Sequence, residues 1–237
     1  MQANNRTPIE AKMQADYDAI AKAFSLSRQD LHWPEVAREI DVLAAGATML
    51  DVGCGMGRLY ETAKARGLQY SGIDISEGQI TEGKRLHPDA DLQVGSMLAL
   101  PYADASFDAV FIVAALHHLL TPKEREQAIA EAYRVLKPGG KVVVTVMALW
   151  QPKYWRLFWQ PNHTDMQPLS WRDVCVEWSW KVQKPVYRYY HAFRRGELLG
   201  LFTSKQWQVE EARYVRQGET EKAYKAKNLV LTARKIV

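Results

Sequence analysis

Apolar positions recur at helical intervals near the start of the chain. Tyr17, Ile20, Ala21 and Phe24 fall three and four residues apart, which predicts a helix over Pro8 to Ser25. Proline suits a first helical turn, so a second helix is predicted from Pro34 to about Ala44. The period then changes. Thr48 to Val52 reads as a short apolar strand, followed by a glycine-rich turn and a helix to about Arg66. Gln69 to Ile75 is the next strand, and Ser76 is placed to cap a helix ending before Pro88. Leu92 to Gly95 and Phe107 to Val113 read as a third and a fourth strand. Thr121-Pro122 opens a helix to about Leu136, Pro138-Gly139-Gly140 stops it, and Lys141 to Met147 is a β-branched fifth strand. Strand and helix alternating in this way predict an α/β fold, a mostly parallel sheet with helices on both faces.

After Met147 the rhythm breaks. Residues 148–187 hold six of the eight tryptophans and four prolines, which reads as an insertion after the fifth strand. A helix near Arg195 to Thr203 and strands near Trp207 to Ala212 and Asn228 to Ala233 complete the pattern. The expected organisation is one domain. It comprises a helical cover (1–46), a core (47–147), a substrate-side insertion (148–187) and the C-terminal part of the sheet (188–237).

Composition narrows the function classes. In 237 residues, 47% hydrophobic and 24% charged is a globular balance. Two cysteines, Cys54 and Cys175, exclude a disulfide framework and a four-cysteine zinc site, and no metal site is expected. The longest apolar run, Ala109 to Leu116, is too short to span a bilayer, and the first residues are polar. A cytoplasmic enzyme without a membrane partner is the expectation. Charge is uneven: residues 148–237 carry 16 Lys+Arg and 8 Asp+Glu, whereas 1–147 carry 15 and 19. A basic last third on an acidic front suggests a polyanionic partner.

Asp51-Val52-Gly53-Cys54-Gly55-Met56-Gly57 follows the first strand and opens a helix. Glycines there let a ligand approach backbone, and the helix N-terminus attracts an anion. Asp74 ends the second strand, where a carboxylate can accept both hydroxyls of a ribose. A dinucleotide fingerprint would place a glycine where Arg58 stands. A pyrophosphate has no use for Asp51, but a ligand with a cationic end does, and S-adenosyl-L-methionine has one.

These residues resemble the class I S-adenosyl-L-methionine-dependent methyltransferases, a Rossmann-like fold with a seven-stranded sheet. The stretches Leu100-Pro101-Tyr102-Ala103-Asp104-Ala105-Ser106-Phe107-Asp108 and Arg134-Val135-Leu136-Lys137-Pro138-Gly139-Gly140 are similar to further motifs of that family. The resemblance implies that Asp51, Gly53, Cys54, Gly55 and Gly57 line the methionine end of the cofactor. Asp74 would hold the ribose and Ile75 pack on adenine, with Ser96 and Met97 where members usually place an aspartate, and Ala114 on the facing turn.

Two segments bear on the acceptor. Leu116-His117-His118-Leu119 follows the fourth strand, where a substrate approaches the methyl group; His117 is the expected contact. Adjacent histidines are not expected to face one point. Arg188 and His191, in Tyr187-Arg188-Tyr189-Tyr190-His191, suit an anionic group if they share a helical turn; on a strand they point oppositely. With Tyr17-Asp18-Ala19-Ile20-Ala21, Arg28, Trp33-Pro34 and Gly196-Glu197-Leu198, these segments resemble the tRNA wobble-uridine methyltransferases, which esterify carboxymethyl-uridine. That resemblance implies that Tyr17 and Arg28 cover the methionine end, and that His117, Arg188, Tyr189 and His191 meet the substrate. It implies as partners a tRNA anticodon stem-loop and a small zinc-ribbon activator protein. Trp159-Gln160-Pro161-Asn162-His163 matches the family's Pro-Trp-His element only loosely. Two rival readings are a small-molecule methyltransferase acting on a quinone or phenol, and a non-catalytic cofactor- or RNA-binding subunit.

Overall fold

The structure, a computed structural model, describes residues 8–28, 33–159, 170–204 and 206–236. The chain begins with helices α1 (Pro8–Arg28) and α2 (Pro34–Asp41). Alternation then follows: β1 (Thr48–Val52), α3 (Tyr60–Ala65), β2 (Gln69–Asp74), α4 (Glu77–Leu86), β3 (Asp91–Val94), β4 (Phe107–Val113), α5 (Pro122–Val135) and β5 (Leu136–Met147). The second half holds β6 (Asp173–Trp178), β7 (Val186–His191), α6 (Arg195–Gly200), β8 (Trp207–Arg216), the two-residue β9 (Glu219–Thr220) and β10 (Asn228–Lys235).

The main sheet runs β3-β2-β1-β4-β5-β10-β8-β9. Its first five strands are parallel, and β10 and β8 are antiparallel. Seven strands form the expected Rossmann-like sheet, and β9 adds a short eighth against the end of β8. The central strand β4 is apolar from Ala109 to Val113, and its packing shows why. Val110 and Ile112 pack with Ala128, Ile129 and Ala132 of α5. Ala109, Phe111 and Val113 pack with Val36 and Ile40 of α2 and Ala63 of α3. A strand buried on both faces has no polar side to alternate.

The caps follow the sequence. Ser76 Oγ accepts from Gln79 N at 3.1 Å, and Thr121 with Glu124 forms a reciprocal capping box. Two local expectations change. Pro138-Gly139-Gly140 lies inside an irregular start of β5, because Leu136 already pairs with Phe107 across a register shift. Residues 188–191 do not join the main sheet: β7 pairs antiparallel with β6 in a separate hairpin. No helix among the described residues is long and apolar enough to cross a membrane.

Candidate active site

In the sheet order, β1 and β4 are neighbours, while the strands that follow them lie on opposite sides. Such a reversal opens a crevice at the carboxyl ends of the strands. Two tight turns face each other there. After β1, Gly53 adopts φ 72°. A Cβ at Gly53 would sit 2.4 Å from the Ala115 Cβ, so only glycine fits. After β4, Ala114 is held at φ 54°, its N–H donating to Thr145 O and Oγ1, both at 3.0 Å. A left-handed alanine is strained, and such residues cluster at ligand sites.

These turns line a cleft with Gly55, Asp74, Ile75, Ser96 and Met97. The Asp74 carboxylate is fixed by the N–H groups of Gly55 (2.8 Å) and Ser76 (2.9 Å), and burial raises its pKa. Each oxygen keeps a second acceptor site, which suits a diol. Glu10, Met13 and Tyr17 of α1 close the cleft, and Ser96 Oγ donates to Glu10 at 2.6 Å. Gln79 lines it too: the residue is 1% exposed, yet neither amide atom has a partner among the described residues. Leaving a buried polar group unpaired costs about 1–3 kcal/mol. A ligand with polar and flat apolar parts fits this lining, as S-adenosyl-L-methionine does: Gly53 and Gly55 backbone, the Asp74 acceptor, the Gln79 amide and the Ile75 and Met97 faces. The charged group expected at its cationic end lies deeper than expected.

Asp51 is buried and does not line the cleft; its Oδ2 accepts from Tyr70 OH at 2.9 Å. Burial pushes its carboxyl up to about 7. Cys54 and Gly57 are corrected likewise. The Cys54 side chain packs in the core beneath the turn, with its thiol pushed well up by burial. Gly57, at φ 80°, serves the turn by donating to Cys54 O at 3.0 Å. The Arg28 side chain and most of the Trp159 to His163 element lie outside the described residues.

A second cavity of about 710 Å³ adjoins the first and shares Tyr17, Arg58, Ala114 and His118 with it. Both histidines line it, contrary to expectation. The short turn Leu116–His118 sets their rings edge to face, 4.5 Å apart with 67° between planes, and both are buried. Their partners assign the protons. His117 Nδ1 accepts from Met147 N at 3.1 Å, so its proton is on Nε2. His118 Nδ1 donates to Tyr189 O at 2.8 Å, and its Nε2 accepts from Tyr17 OH at 2.9 Å. Burial above all depresses His117 well below its usual range, with Arg188 nearby acting in the same direction; burial brings His118 to about 3. Both are neutral, and neither has a spare basic nitrogen.

Arg188 also lines this cavity. Its guanidinium lies 5.0–5.9 Å from the ring centres of Tyr17, Phe24, Trp178 and Tyr190. The residue is 6% exposed, its Nε has no partner, and no carboxylate pairs with it among the described residues. Strand parity decides the rest of this segment. On β7, Arg188 and Tyr190 face the cavity, and Tyr190 stacks on His117 at 4.8 Å. Tyr189 and His191 face away, correcting their expected contact with substrate. Tyr189 OH donates to Asp173 Oδ1 (2.8 Å), and His191 bridges Asp173 (2.7 Å) and Glu197 (2.8 Å). Burial lowers the pKa of His191, but the two carboxylates outweigh it and the net shift is upward. This is a strut behind the hairpin.

Sequence reasoning missed Glu10, Glu35, Arg58, Gln79 and Tyr190, all of which line the two cavities. Glu10, Met13 and Tyr17 fall on one helical face, a signal that was available. Farther out, Trp150, Trp155, Phe158, Trp159 and Trp171 line a groove, with Arg194 5.3 Å from the Trp150 and Trp171 rings.

Comparison with known proteins agrees with this geometry. Residues 50–144 match a family model described as a methyltransferase domain. A protein of Encephalitozoon cuniculi named as a methyltransferase is 30% identical over 194 residues, 81% of this chain and 85% of its own length. The tRNA (carboxymethyluridine(34)-5-O)-methyltransferase of Arabidopsis thaliana is 41% identical over 56% of this chain and 31% of its own. The demethylmenaquinone methyltransferase of Renibacterium salmoninarum is 37% identical over 56% of this chain and 57% of its own. The chain thus spans about a third of the Arabidopsis relative and just over half of the Renibacterium one. Among solved structures, the CcbJ methyltransferase of Streptomyces caelestis superposes with TM-score 0.73 at 18% identity, over 95% of this chain and 99% of its own. A Haloferax volcanii protein named as a methyltransferase, solved with the Trm112 methyltransferase activator, superposes with TM-score 0.68 at 17% identity, over 93% and 98%. With its glycine turn, Asp74 and sheet order, the chain belongs to the class I S-adenosyl-L-methionine-dependent methyltransferases, and S-adenosyl-L-methionine is its cofactor.

Proposed function

We propose that the chain methylates the carboxylate of 5-carboxymethyl-uridine at the wobble position of a tRNA anticodon stem-loop, forming a methyl ester. The observation that carries this reading is Arg188, a buried guanidinium caged by aromatic rings without a carboxylate partner among the described residues. Such a group is an anion receptor, and its fork matches a carboxylate at two points. When bound, S-adenosyl-L-methionine supplies a methyl group on a cationic sulfur, which leaves readily. A carboxylate acceptor is already ionised at neutral pH and needs no base. That agrees with His117 and His118, whose accepting nitrogens are engaged by Met147 N and Tyr17 OH. The work left to the chain is alignment. Arg188 orients the carboxylate, His117 offers its Nε2–H, and Tyr17 walls the junction of the two cavities. Lys153 and Lys227 line the same cavity and suit phosphate contact.

The Arabidopsis relative supports this acceptor, and the Renibacterium relative supports a quinol ring instead. A ring carbon must lose a proton, and the two histidines have no free lone pair to take it. The Haloferax neighbour supports testing a zinc-ribbon activator. The test is transfer of labelled methyl from the cofactor to tRNA from cells lacking the esterifying enzyme, with and without such an activator. Label on carboxymethyl-uridine, released by mild alkali, is expected. Methylation of demethylmenaquinol with none of tRNA under either condition would overturn the reading.

A further inference from the structure

Glu35 stands in the first turn of α2 and is 4% exposed. Its Oε1 accepts from Asn228 Nδ2 at 2.8 Å. Its Oε2 is buried and has no partner among the described residues, although Glu35 lines the acceptor cavity together with Arg188. The two are not each other's partners, since no ion pair joins them among the described residues. One cavity therefore holds two unmet demands of opposite kind: an N–H of Arg188 without an acceptor, and an oxygen of Glu35 without a donor. Burying either alone is unfavourable, and such groups call for an explanation. A ligand that brings an anion to one and an N–H to the other satisfies both.

The lining also specifies shape. Flat groups border this space: the Arg58 guanidinium lies 4.1 Å from the centre of the Trp33 ring, and His117 stacks on Tyr190 with 26° between planes. A planar ring fits between such surfaces. A uracil ring joined to ribose has one N–H donor, its imide at N3, on a different edge from a C5 substituent.

We propose that Glu35 accepts a hydrogen bond from the imide N–H of the acceptor base while Arg188 takes the carboxylate on C5, so that Glu35 selects uracil over cytosine. This rests on the carboxymethyl-uridine reading. Cytosine has no N–H at that position, and its ring nitrogen would set a lone pair against the carboxylate.

The experiment uses the full chain as wild type, Glu35→Gln and Glu35→Ala. The acceptors are stem-loops carrying 5-carboxymethyl-uridine or its N3-methyl derivative. For the wild type, N3-methylation should lower kcat/KM by about 10- to 100-fold, as expected for a hydrogen bond to a charged group. Glu35→Gln keeps the shape, but with its oxygen held by Asn228 it turns an NH2 toward the base. It should lose a similar factor on the parent acceptor, and N3-methylation should then cost it under about threefold. Unchanged cofactor affinity and thermal midpoint show that the variant is folded, and they keep the test valid if Glu35→Ala unfolds. Multiplicative losses, or full activity of Glu35→Gln on the parent, overturn the proposal. So does an equal loss on both acceptors with disappearance of an acidic limb in the pH profile, which would make Glu35 a base. A wild type inactive on the parent stem-loop defeats the carboxymethyl-uridine reading and this proposal with it, whereas activity without N3 dependence defeats this proposal alone.

Discussion

The Tyr17 hydroxyl and the His118 Nε2 lie 2.9 Å apart, joining helix α1 to the turn after β4 across 101 residues of sequence. Both residues line both cavities, so the bond spans the boundary where, on the proposed reading, methyl donor and acceptor meet. The same hydroxyl receives Arg188 Nη1 at 3.5 Å. Tyr17→Phe removes one donor and one acceptor and leaves the ring in place. We expect a drop of about tenfold in kcat/KM for the acceptor, about 1–1.5 kcal/mol. Cofactor affinity measured by calorimetry should change less than about threefold; a larger change would place Tyr17 in the cofactor site first.

Arg188 is a buried charge in an aromatic cage. Replacing an unpaired buried ion by an apolar side chain of similar length removes a desolvation cost. Arg188→Met should therefore hold or raise the thermal midpoint of the free protein while lowering turnover by about 100-fold or more. Arg188→Lys should not restore activity, because an ammonium lacks the two-point fork. Unfolding of Arg188→Met would mean that the cage is a stabilising core.

Burial pushes the Asp51 carboxyl up to about 7, from an ordinary 3.8. The folded state thus favours the protonated form, and stability falls as pH rises through that window. Asp51→Asn removes the charge but keeps the shape beside Tyr70. Its thermal midpoint should exceed that of the wild type at pH 8, by on the order of 2–4 kcal/mol in stability, and the two should converge below about pH 4. If Asp51 also senses the cationic end of the cofactor from beneath the turn, the variant should bind it about tenfold more weakly.

Behind the hairpin the sign is different. His191 has its pKa raised by Asp173 and Glu197, above its usual 6.5, and both carboxylates are lowered. Arg125, Arg172 and Tyr189 complete the cluster. The histidine's contribution is full below pH 6.5 and is lost as pH rises through the raised value. The carboxylates' contribution is present above about 4.5 and lost toward acid. Protection against hydrogen exchange at β6 and β7, taken relative to the intrinsic rate at each pH, should be greatest between those limits. In His191→Gln the alkaline loss of protection should vanish; persistence of it would assign the effect to another group.

The glycine-turn half of this candidate site was legible in the sequence because backbone writes it. Gly53 and Ala115 approach too closely for any Cβ, and Asp74 ends a strand whose register is set by its apolar neighbours. The acceptor half depends on parity and long-range packing, which residue types alone do not state. Arg188 and His191 read alike as cations beside tyrosines; only the pairing of β7 with β6 turns one to the cavity and the other to Asp173. Asp51 and Cys54 sit within the most recognisable motif, yet the turn points both inward. Glu35 and Asn228 meet across 193 residues, a contact that no local pattern announces.

The hairpin of β6 and β7 stands apart from the main sheet, touching its His117–His118 turn through the Tyr189 carbonyl and the Tyr190 ring. The glycine turn and Asp74 stand on the main sheet, whereas Arg188 and Tyr190 reach the second cavity from the hairpin. On the proposed reading, a change confined to the hairpin would alter the acceptor and leave the cofactor cleft intact. Relatives that share the central stretch and act on a tRNA base or a quinone are what such a division of the chain produces.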